Sequence, residues 1–218
     1  MAFDWAAFNA GFLLSIGLIV AIGPQNAYVI RKGLRKRHVF LSTTICFLSD
    51  ALLIGLGAAG VGALLQEGGT ISLIVTAIGV LFLFWYGAKS FYEALNPKIM
   101  SKDDIERAGA GTKGKEWPIV VLTLLAFTFL NPHVYVDTLL IIGGVSSHYE
   151  LPGRYFFAVG AILASGVWFY GLGYGAGFFS KAFENPTAWR ILDTLIGFIM
   201  WGAAAYLAYE QYGDYLAT

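Results

Sequence analysis

Long apolar stretches alternate with short polar ones along the chain. A membrane-spanning helix needs about 20 mostly apolar residues, and six stretches of roughly that length occur. Their apolarity is continuous, without the period-2 alternation of barrel strands. The pattern therefore predicts an all-α integral membrane protein with a single transmembrane domain over 1–218. The six predicted transmembrane helices lie at 7–30, 39–65, 71–93, 118–143, 153–180 and 189–210.

Composition supports the membrane assignment. Hydrophobic residues make up 57% of the 218 residues and charged residues only 13%, whereas soluble domains carry about 25% charged residues. A single cysteine, Cys46, excludes an intramolecular disulfide. No Lys or Arg precedes Arg31, so the first apolar run lacks the basic start of a cleaved signal peptide and is interpreted as a mature helix. The net charge of zero gives no support to a nucleic-acid partner.

The basic residues predict the orientation of the helices. Thirteen of the 14 Lys and Arg residues fall near the connections between helices 1 and 2, helices 3 and 4, and helices 5 and 6; Arg154 is the exception. Cytoplasmic loops are enriched in Lys and Arg. These three connections, including the charged loop 94–117, are therefore expected in the cytoplasm, and both termini are expected outside.

Each half of the chain opens with a helix that carries a proline beside an amide. Six helices divide into halves of three, at about 1–93 and 118–218, so the second half is inverted relative to the first. Inverted repeats of this kind are common in secondary transporters. The pattern predicts a 3+3 inverted repeat with helices 1 and 4 broken at prolines. The two motifs are Pro24-Gln25-Asn26 and Asn131-Pro132-His133.

Such breaks have a physical use. Proline lacks an N–H and disrupts a helix, and a break within the membrane exposes half-helix ends with partial charges. A positive helix start can hold a carboxylate, and freed carbonyls can hold a cation. An amino acid carries both charges. The alternative is a packing kink capped by the amides, because prolines are tolerated in membrane helices.

Asp50 falls near the middle of the second predicted helix. An acid at mid-bilayer costs roughly 2.5–3.5 kcal/mol, so this side chain is expected to face the interior of the bundle. Helical spacing places Thr43, Cys46 and Gly57 on the same face. This small, polar stripe is typical of a packed or wet interior. The alternative for Asp50 is a structural, hydrogen-bonded acid.

Asp137 lies on the fourth predicted helix, beyond the Pro132 motif. His133 precedes it by four residues, so the two side chains meet on one face if the helix is regular there. Asp137 is a candidate for the same polar interior, with a structural role as the alternative. Asp193, near the start of the sixth helix, is interpreted instead as an acid that suits the helix dipole.

Three blocks of sequence resemble one known family. Together with the six apolar segments and the overall length, they make the chain similar to the LysE family of basic amino-acid exporters, and within it to the arginine-exporting branch. The resemblance extends over effectively the whole chain. The blocks are GPQNAYVIRKGLRKRH at 23–38, CFLSDALLIGLG at 46–57 and FLNPHVYVDTLLIIGG at 129–144.

The resemblance implies secondary active export of L-arginine, with L-lysine as a second substrate, across the bacterial inner membrane. The implied driving force is a proton gradient or the membrane potential, and neither a cofactor nor a metal is expected. The expected partners are these amino acids, protons and membrane lipid, with a homo-oligomer left open. The residues that the resemblance marks for substrate binding or coupling are Pro24, Gln25, Asn26, Asp50, Asn131, Pro132, His133, Tyr135 and Asp137.

The roles of these residues are hypotheses. Asp50 is expected to pair with the cationic side chain of the substrate or to exchange it for a proton, and Asp137 to form the second cation or proton site. The amides of Gln25, Asn26 and Asn131 are expected to hydrogen-bond at the breaks. Export of a cation against an inside-negative potential costs about 2.3 kcal/mol per charge per 100 mV, so coupled ion influx is expected.

Other functions fit the pattern less well. An exporter of other amino acids from the same superfamily is the nearest alternative. An exporter of divalent metal ions would use Asp50, His133 and Asp137, but three ligands without a dense cluster are thin support. A membrane-embedded enzyme would use His133 and Asp137 as an acid–base pair, yet neither HExxH nor GxSxG occurs. A scaffold leaves the broken helices and buried acids unexplained.

Overall fold

The computed structural model describes residues 3–20, 23–60, 70–96 and 116–216, with the side chains of 70–76, 132, 183–184 and 210–216 left outside the description. Within these ranges all regular structure is helical, which confirms the all-α prediction. Most of the predicted loop 94–117 lies outside the described residues.

The helices are α1 (Trp5–Ile19), α2 (Pro24–Leu34), α3 (Val39–Ala58), α4 (Thr70–Leu95), α5 (Trp117–Phe129), α6 (Pro132–Tyr135), a π-helix (Val136–Ile142), α7 (Gly143–Ser146), α8 (Gly153–Phe178), a 3-10 helix (Ser180–Glu184) and α9 (Pro186–Leu216).

Three of these helices are long and apolar enough to cross a membrane on their own: α3, α8 and the Pro186–Tyr209 part of α9. Two more crossings arise if each of two bent helix pairs is one span. The described residues therefore contain three to five candidate spans. The predicted third helix, 71–93, falls on α4, whose side chains are described only from residue 77 onward.

The two bent pairs coincide with the proline motifs. The axes of α1 and α2 differ by 82°, and α2 starts at Pro24 after an extended Gly23. Proline suits the first position of a helix because its missing N–H has no helical partner there. The axes of α5 and the segment His133–Ser146 differ by 68°. In both places the chain stops one helix and starts another in a new direction.

Close backbone contacts hold the bundle together where glycines replace larger residues. Gly11 of α1 faces the backbone of Phe157 on α8, and Gly160 of α8 faces the backbone of Phe8, with no room for a Cβ at either glycine. Gly57 of α3 makes the same kind of contact with the π-helix. A Cβ on Gly57 would collide with the Thr138 carbonyl. The π-helix therefore lies directly against α3.

One acidic residue is placed differently from its prediction. Asp193 lies two turns inside α9, with its side chain only 2% exposed, and pairs with Arg31 at 3.2 Å. Glu93 on α4 forms a second ion pair with the same guanidinium. The helix-dipole interpretation of Asp193 is wrong, because the dipole effect is confined to the first turn. The acid serves instead to neutralise a buried arginine contributed by α2.

Candidate functional site

A cavity of about 310 Å³ lies where the two bent segments meet α3, α8 and α9. Seven of the nine residues marked by the sequence line it. Apolar side chains from α1, α5, α8 and α9 complete the wall. The seven are Pro24, Gln25, Asn26, Asp50, Asn131, His133 and Asp137.

Asn26 closes the first break. Its side-chain amide donates a hydrogen bond of 2.8 Å to the carbonyl of Ile19, the last residue of α1. The indole N–H of Trp168, on α8, donates to the Asn26 Oδ1 atom at 3.2 Å. A freed carbonyl in an apolar interior must be satisfied within the protein. Asn26 does this while a distant helix holds it in place.

Gln25 supplies an uncommitted donor to the cavity wall. Its side chain lies beside the Cys46 thiol, and its buried Nε2 atom has no oxygen acceptor among the described residues. Sulfur is only a weak acceptor, and a buried N–H without a good partner is costly. The position is suited to an oxygen-bearing ligand.

The second break is closed by its own segment. The Asn131 Oδ1 atom accepts a hydrogen bond of 3.2 Å from the backbone N–H of His133, as in a helix N-cap. The Tyr135 hydroxyl donates a bond of 2.8 Å to the carbonyl of Phe129, the last residue of α5. Tyr135 is not among the residues that line the cavity. The description of Pro132 is limited to its backbone, which begins α6.

Asp50 projects from a regular part of α3 and is 5% exposed. The Ser165 hydroxyl, on α8, donates a hydrogen bond of 2.7 Å to its Oδ2 atom. Thr43, Cys46 and Gly57 are buried along the same face, as the helical spacing predicts. The carboxyl group therefore lies in the interior of the bundle at the edge of the cavity.

Asp137 has a more accessible setting. It lies in the π-helix, with a side chain 24% exposed, and the His133 Nε2 atom is 3.7 Å from its Oδ1 atom. The side chains meet as predicted, although the helix between them changes from α to π. The His133 ring also packs edge-on against Tyr206 of α9, with 5.8 Å between ring centroids. A π-helical turn inside a helix is frequently found at functional sites.

Comparison with known proteins now adds to this geometry. Residues 16–211 match the model of the LysE type translocator family. The chain belongs to the LysE type translocator family. It is 39% identical to the arginine exporter protein ArgO of Yersinia enterocolitica, over 93% of this chain and 96% of that protein. It is 36% identical to the lysine exporter LysE of Corynebacterium diphtheriae, over 88% of this chain and 93% of that protein. No solved structure matches it.

Family membership makes this chain a transport protein rather than an enzyme. Together with the apolar helices, it places the translocator in the bacterial inner membrane as a multi-pass protein. In a transporter, a cavity inside the bundle that carries a few polar and acidic side chains is the expected location for a solute.

Two residues of the translocator's cavity region escaped the sequence analysis. Ser165 and Trp168 reach Asp50 and Asn26 from the same face of α8, because they are three residues apart. Their signal was a serine and a tryptophan on one face of an otherwise glycine-rich apolar helix. That signal identifies a buried polar face but not the partners that it meets.

A metal site finds no support in the geometry. Among the residues that the structure describes, no three His, Cys, Asp or Glu side chains lie close enough together to hold a metal ion. Asp50, His133 and Asp137 line the same cavity but do not form such a cluster. The metal-export alternative therefore rests on composition alone.

Proposed function

We propose that the translocator exports the basic amino acids L-arginine and L-lysine from the bacterial cytoplasm. The observation that carries this proposal is the cavity itself, which combines two carboxyl groups, Asp50 and Asp137, with the ends of two interrupted helices. The names of the arginine- and lysine-exporting relatives support the same substrate class. Two acids suit a ligand with a cationic side chain.

The substrate is proposed to lie with its carboxylate toward the start of α2. The first turn of a helix leaves N–H groups without helical acceptors and carries partial positive charge. Gln25 and Asn26 lie in that turn, and the Gln25 side-chain amide adds a further donor. The cationic side chain would then extend toward Asp50 and Asp137, where buried negative charge compensates it.

Transport against the membrane potential requires coupling to ion influx. We propose that Asp50 alternates between binding the substrate cation and binding a proton, because a lone acid in this interior is costly when charged and unpaired. Asp137 is proposed as the second cation or proton site, with His133 as its neighbour. Asn131 and Tyr135 hold the backbone turn at Pro132 that presents both residues.

The proposed topology has six spans in two inverted halves, about 1–93 and 118–218, with both termini outside. Two observations support it: the bias of Lys and Arg toward three connections and the bends at two proline motifs. The end of the bundle that carries residues 31–38 is called the basic end. In this topology the basic end faces the cytoplasm.

Counterflow in proteoliposomes tests the function directly. Vesicles loaded with unlabelled arginine should accumulate labelled arginine and lysine, whereas homoserine and leucine should exchange poorly. An imposed pH gradient should change the rate if protons are the coupling ion. Absence of arginine exchange by protein that is folded and inserted, judged by circular dichroism and protease protection, would refute the proposal.

A further inference from the structure

Arg31 is buried although it opens the most basic stretch of the chain. It is 5% exposed and forms ion pairs with Glu93 of α4 and Asp193 of α9. Arg31 also donates a hydrogen bond to the hydroxyl oxygen of Tyr86. These contacts join three helices at the basic end of the bundle. Arg31, Glu93 and Asp193 are called the basic-end layer here.

Aromatic side chains separate this layer from the cavity. Phe127 lines the cavity and packs on Tyr28 and Tyr86, with ring centroids 5.8 and 5.1 Å away. Tyr86 in turn contacts Arg31. Along α9, the 13 residues from Asp193 to the cavity residue Tyr206 span about 20 Å at 1.5 Å per residue. A solute that approaches from the basic end meets the basic-end layer before the cavity.

Exposure along the cavity wall points the same way. Phe127 and Phe169 are each 2% exposed, whereas the His133 side chain is 45% and Tyr206 is 52% exposed. The wall is thus tightest toward the basic-end layer and looser on the side of His133. Among the described residues, those on the basic-end side of the cavity are therefore the more buried ones.

The Arg31–Asp193 ion pair is poorly aligned. The Asp193 Oδ1 atom lies 3.2 Å from the Arg31 guanidinium, yet it accepts no hydrogen bond within the described part of the chain. The Arg31 Nε atom likewise donates none there. The strongest arginine–carboxylate pairs use two parallel hydrogen bonds. Charge more than geometry holds Arg31 in this position.

A second cation, Arg35, further weakens the pairing of Arg31 with Glu93 and Asp193. Arg35, at the end of α2, stacks over Trp189 at 4.8 Å. Burial, followed by the charge of Arg31, lowers the pKa of Arg35 to about 10, whereas the charge of Asp193 acts in the opposite direction. The guanidinium groups of Arg31 and Arg35 therefore repel each other beside an acid that attracts both. The two acids therefore hold a guanidinium that neighbouring charge helps to displace.

We propose that Glu93 and Asp193 form a loading site for the cationic side chain of the transported amino acid, occupied by Arg31 while the basic end is closed. This inference rests on the proposed function. Exchange of one guanidinium or ammonium for another leaves both acids paired, which avoids the large cost of an uncompensated charge at the buried Asp193 and a smaller cost at Glu93, whose side chain is 27% exposed. A neutral amino acid cannot make this exchange.

The test measures KM for arginine separately from each face, in proteoliposomes with uniform protein orientation. Glu93→Gln and Asp193→Asn are each expected to raise KM at the basic-end face by at least about tenfold, as expected for loss of one charge-assisted contact, and to leave KM at the opposite face unchanged. Glu116→Gln is the matched control. Glu116 pairs with Arg37 at 3.6 Å near the same end but is 53% exposed, so neither KM should change.

The direction of the change in KM distinguishes a loading site from ion pairs that only hold the basic end closed. If the ion pairs only held the basic end closed and bound no substrate, Glu93→Gln would weaken them and KM at the basic-end face would fall. That result overturns the proposal. Arg31→Lys is expected to lower KM at that face, because an ammonium group lacks the planar fork that reaches two carboxylates. Unchanged KM in both variants also overturns it.

Variants with one unpaired charge in the basic-end layer can fail to fold. A variant in which all three residues of the layer are neutral therefore provides a second test. The triple variant Arg31→Met, Glu93→Gln, Asp193→Asn leaves no unpaired charge in the layer. It should insert, transport arginine and show the raised KM at the basic-end face. Wild-type KM in this variant, or failure to insert, assigns the layer a structural role only. Lack of arginine transport by the wild type at both faces would instead refute the proposed function.

Discussion

Asp50 and Asp137 line one cavity but are held in opposite ways. Asp50 projects from a regular α-helix, is 5% exposed and accepts a hydrogen bond from the Ser165 hydroxyl on α8. Asp137 lies in a π-helix, is 24% exposed and has His133 beside it. The setting of the first acid depends on contacts between distant helices. The ion-pair partner of the second acid, His133, comes from its own segment, although that segment packs against α3 and α9.

The two helix breaks repeat this contrast. Asn26 is fixed across the bundle, by the Ile19 carbonyl and by Trp168 of α8. The second break is closed locally, through Asn131 and Tyr135. We therefore interpret the Asp50 side of the cavity as the fixed side and the Asp137 side as the adjustable side. Substitutions on the two sides should therefore differ in their effects on transport and stability.

Asp50→Asn should have the largest effect. The neutral amide keeps the shape of the side chain but cannot pair with a cation or exchange it for a proton. Arginine counterflow should fall at least about 100-fold, since charge-assisted contacts are worth about 1.5–3 kcal/mol each and coupling is lost as well. Asp4→Asn is the control, because Asp4 caps α1 away from the cavity and Asn caps equally well. Full counterflow in the Asp50 variant would remove this acid from the mechanism.

Asp137→Asn should reduce counterflow less, by about tenfold, because the group is more exposed and loses a weaker electrostatic contact. His133→Gln should produce a smaller loss still. His133 lies 3.7 Å from the Asp137 carboxylate, so its substitution changes the surroundings of that acid but leaves its charge in place. Initial rates over a range of arginine concentrations would measure both. An Asp137 defect equal to that of Asp50 would contradict the distinction between fixed and adjustable sides.

Asn26→Leu should lower both stability and transport. It leaves the Ile19 carbonyl and the Trp168 indole without the partners described here, and an unpaired buried polar group costs about 1–3 kcal/mol. Asn131→Leu should cost less, because Asn131 is less buried and bonds within its own segment. Thermal unfolding in detergent would compare the two. An equal or greater loss of stability for Asn131 would reverse the assignment of the fixed side.

Tyr135→Phe should have the smallest effect. It removes one hydrogen bond, to the Phe129 carbonyl, worth about 0.5–1.5 kcal/mol of stability. KM for arginine should stay within about twofold of wild type, because the phenol is turned toward the backbone break and is not part of the cavity lining. A large rise in KM at unchanged stability would instead make Tyr135 a direct binding residue.

Local patterns predicted much of this arrangement. Helical spacing placed Asp50 on a buried face with Thr43 and Cys46, and the motifs of proline beside an amide lie at the two bends between helices. Features that depend on partners from other helices were not predictable. The Arg31–Asp193 pair joins α2 to α9, and an arginine in a basic stretch is ordinarily assigned to a loop. The π-helix likewise has no local signature, since the close contact of Gly57 with Thr138 appears only after the helices pack.

Cys46 gives the fold a reporter of its own. It is the single thiol of the chain, fully buried and adjacent to Gln25 at the start of α2. A small alkylating reagent reaches it only when the first break separates from α3. Its labelling rate therefore records how often the contact between α2 and α3 opens at the edge of the cavity. No cysteine needs to be removed or introduced, so the native protein can be followed during turnover, with arginine present or absent.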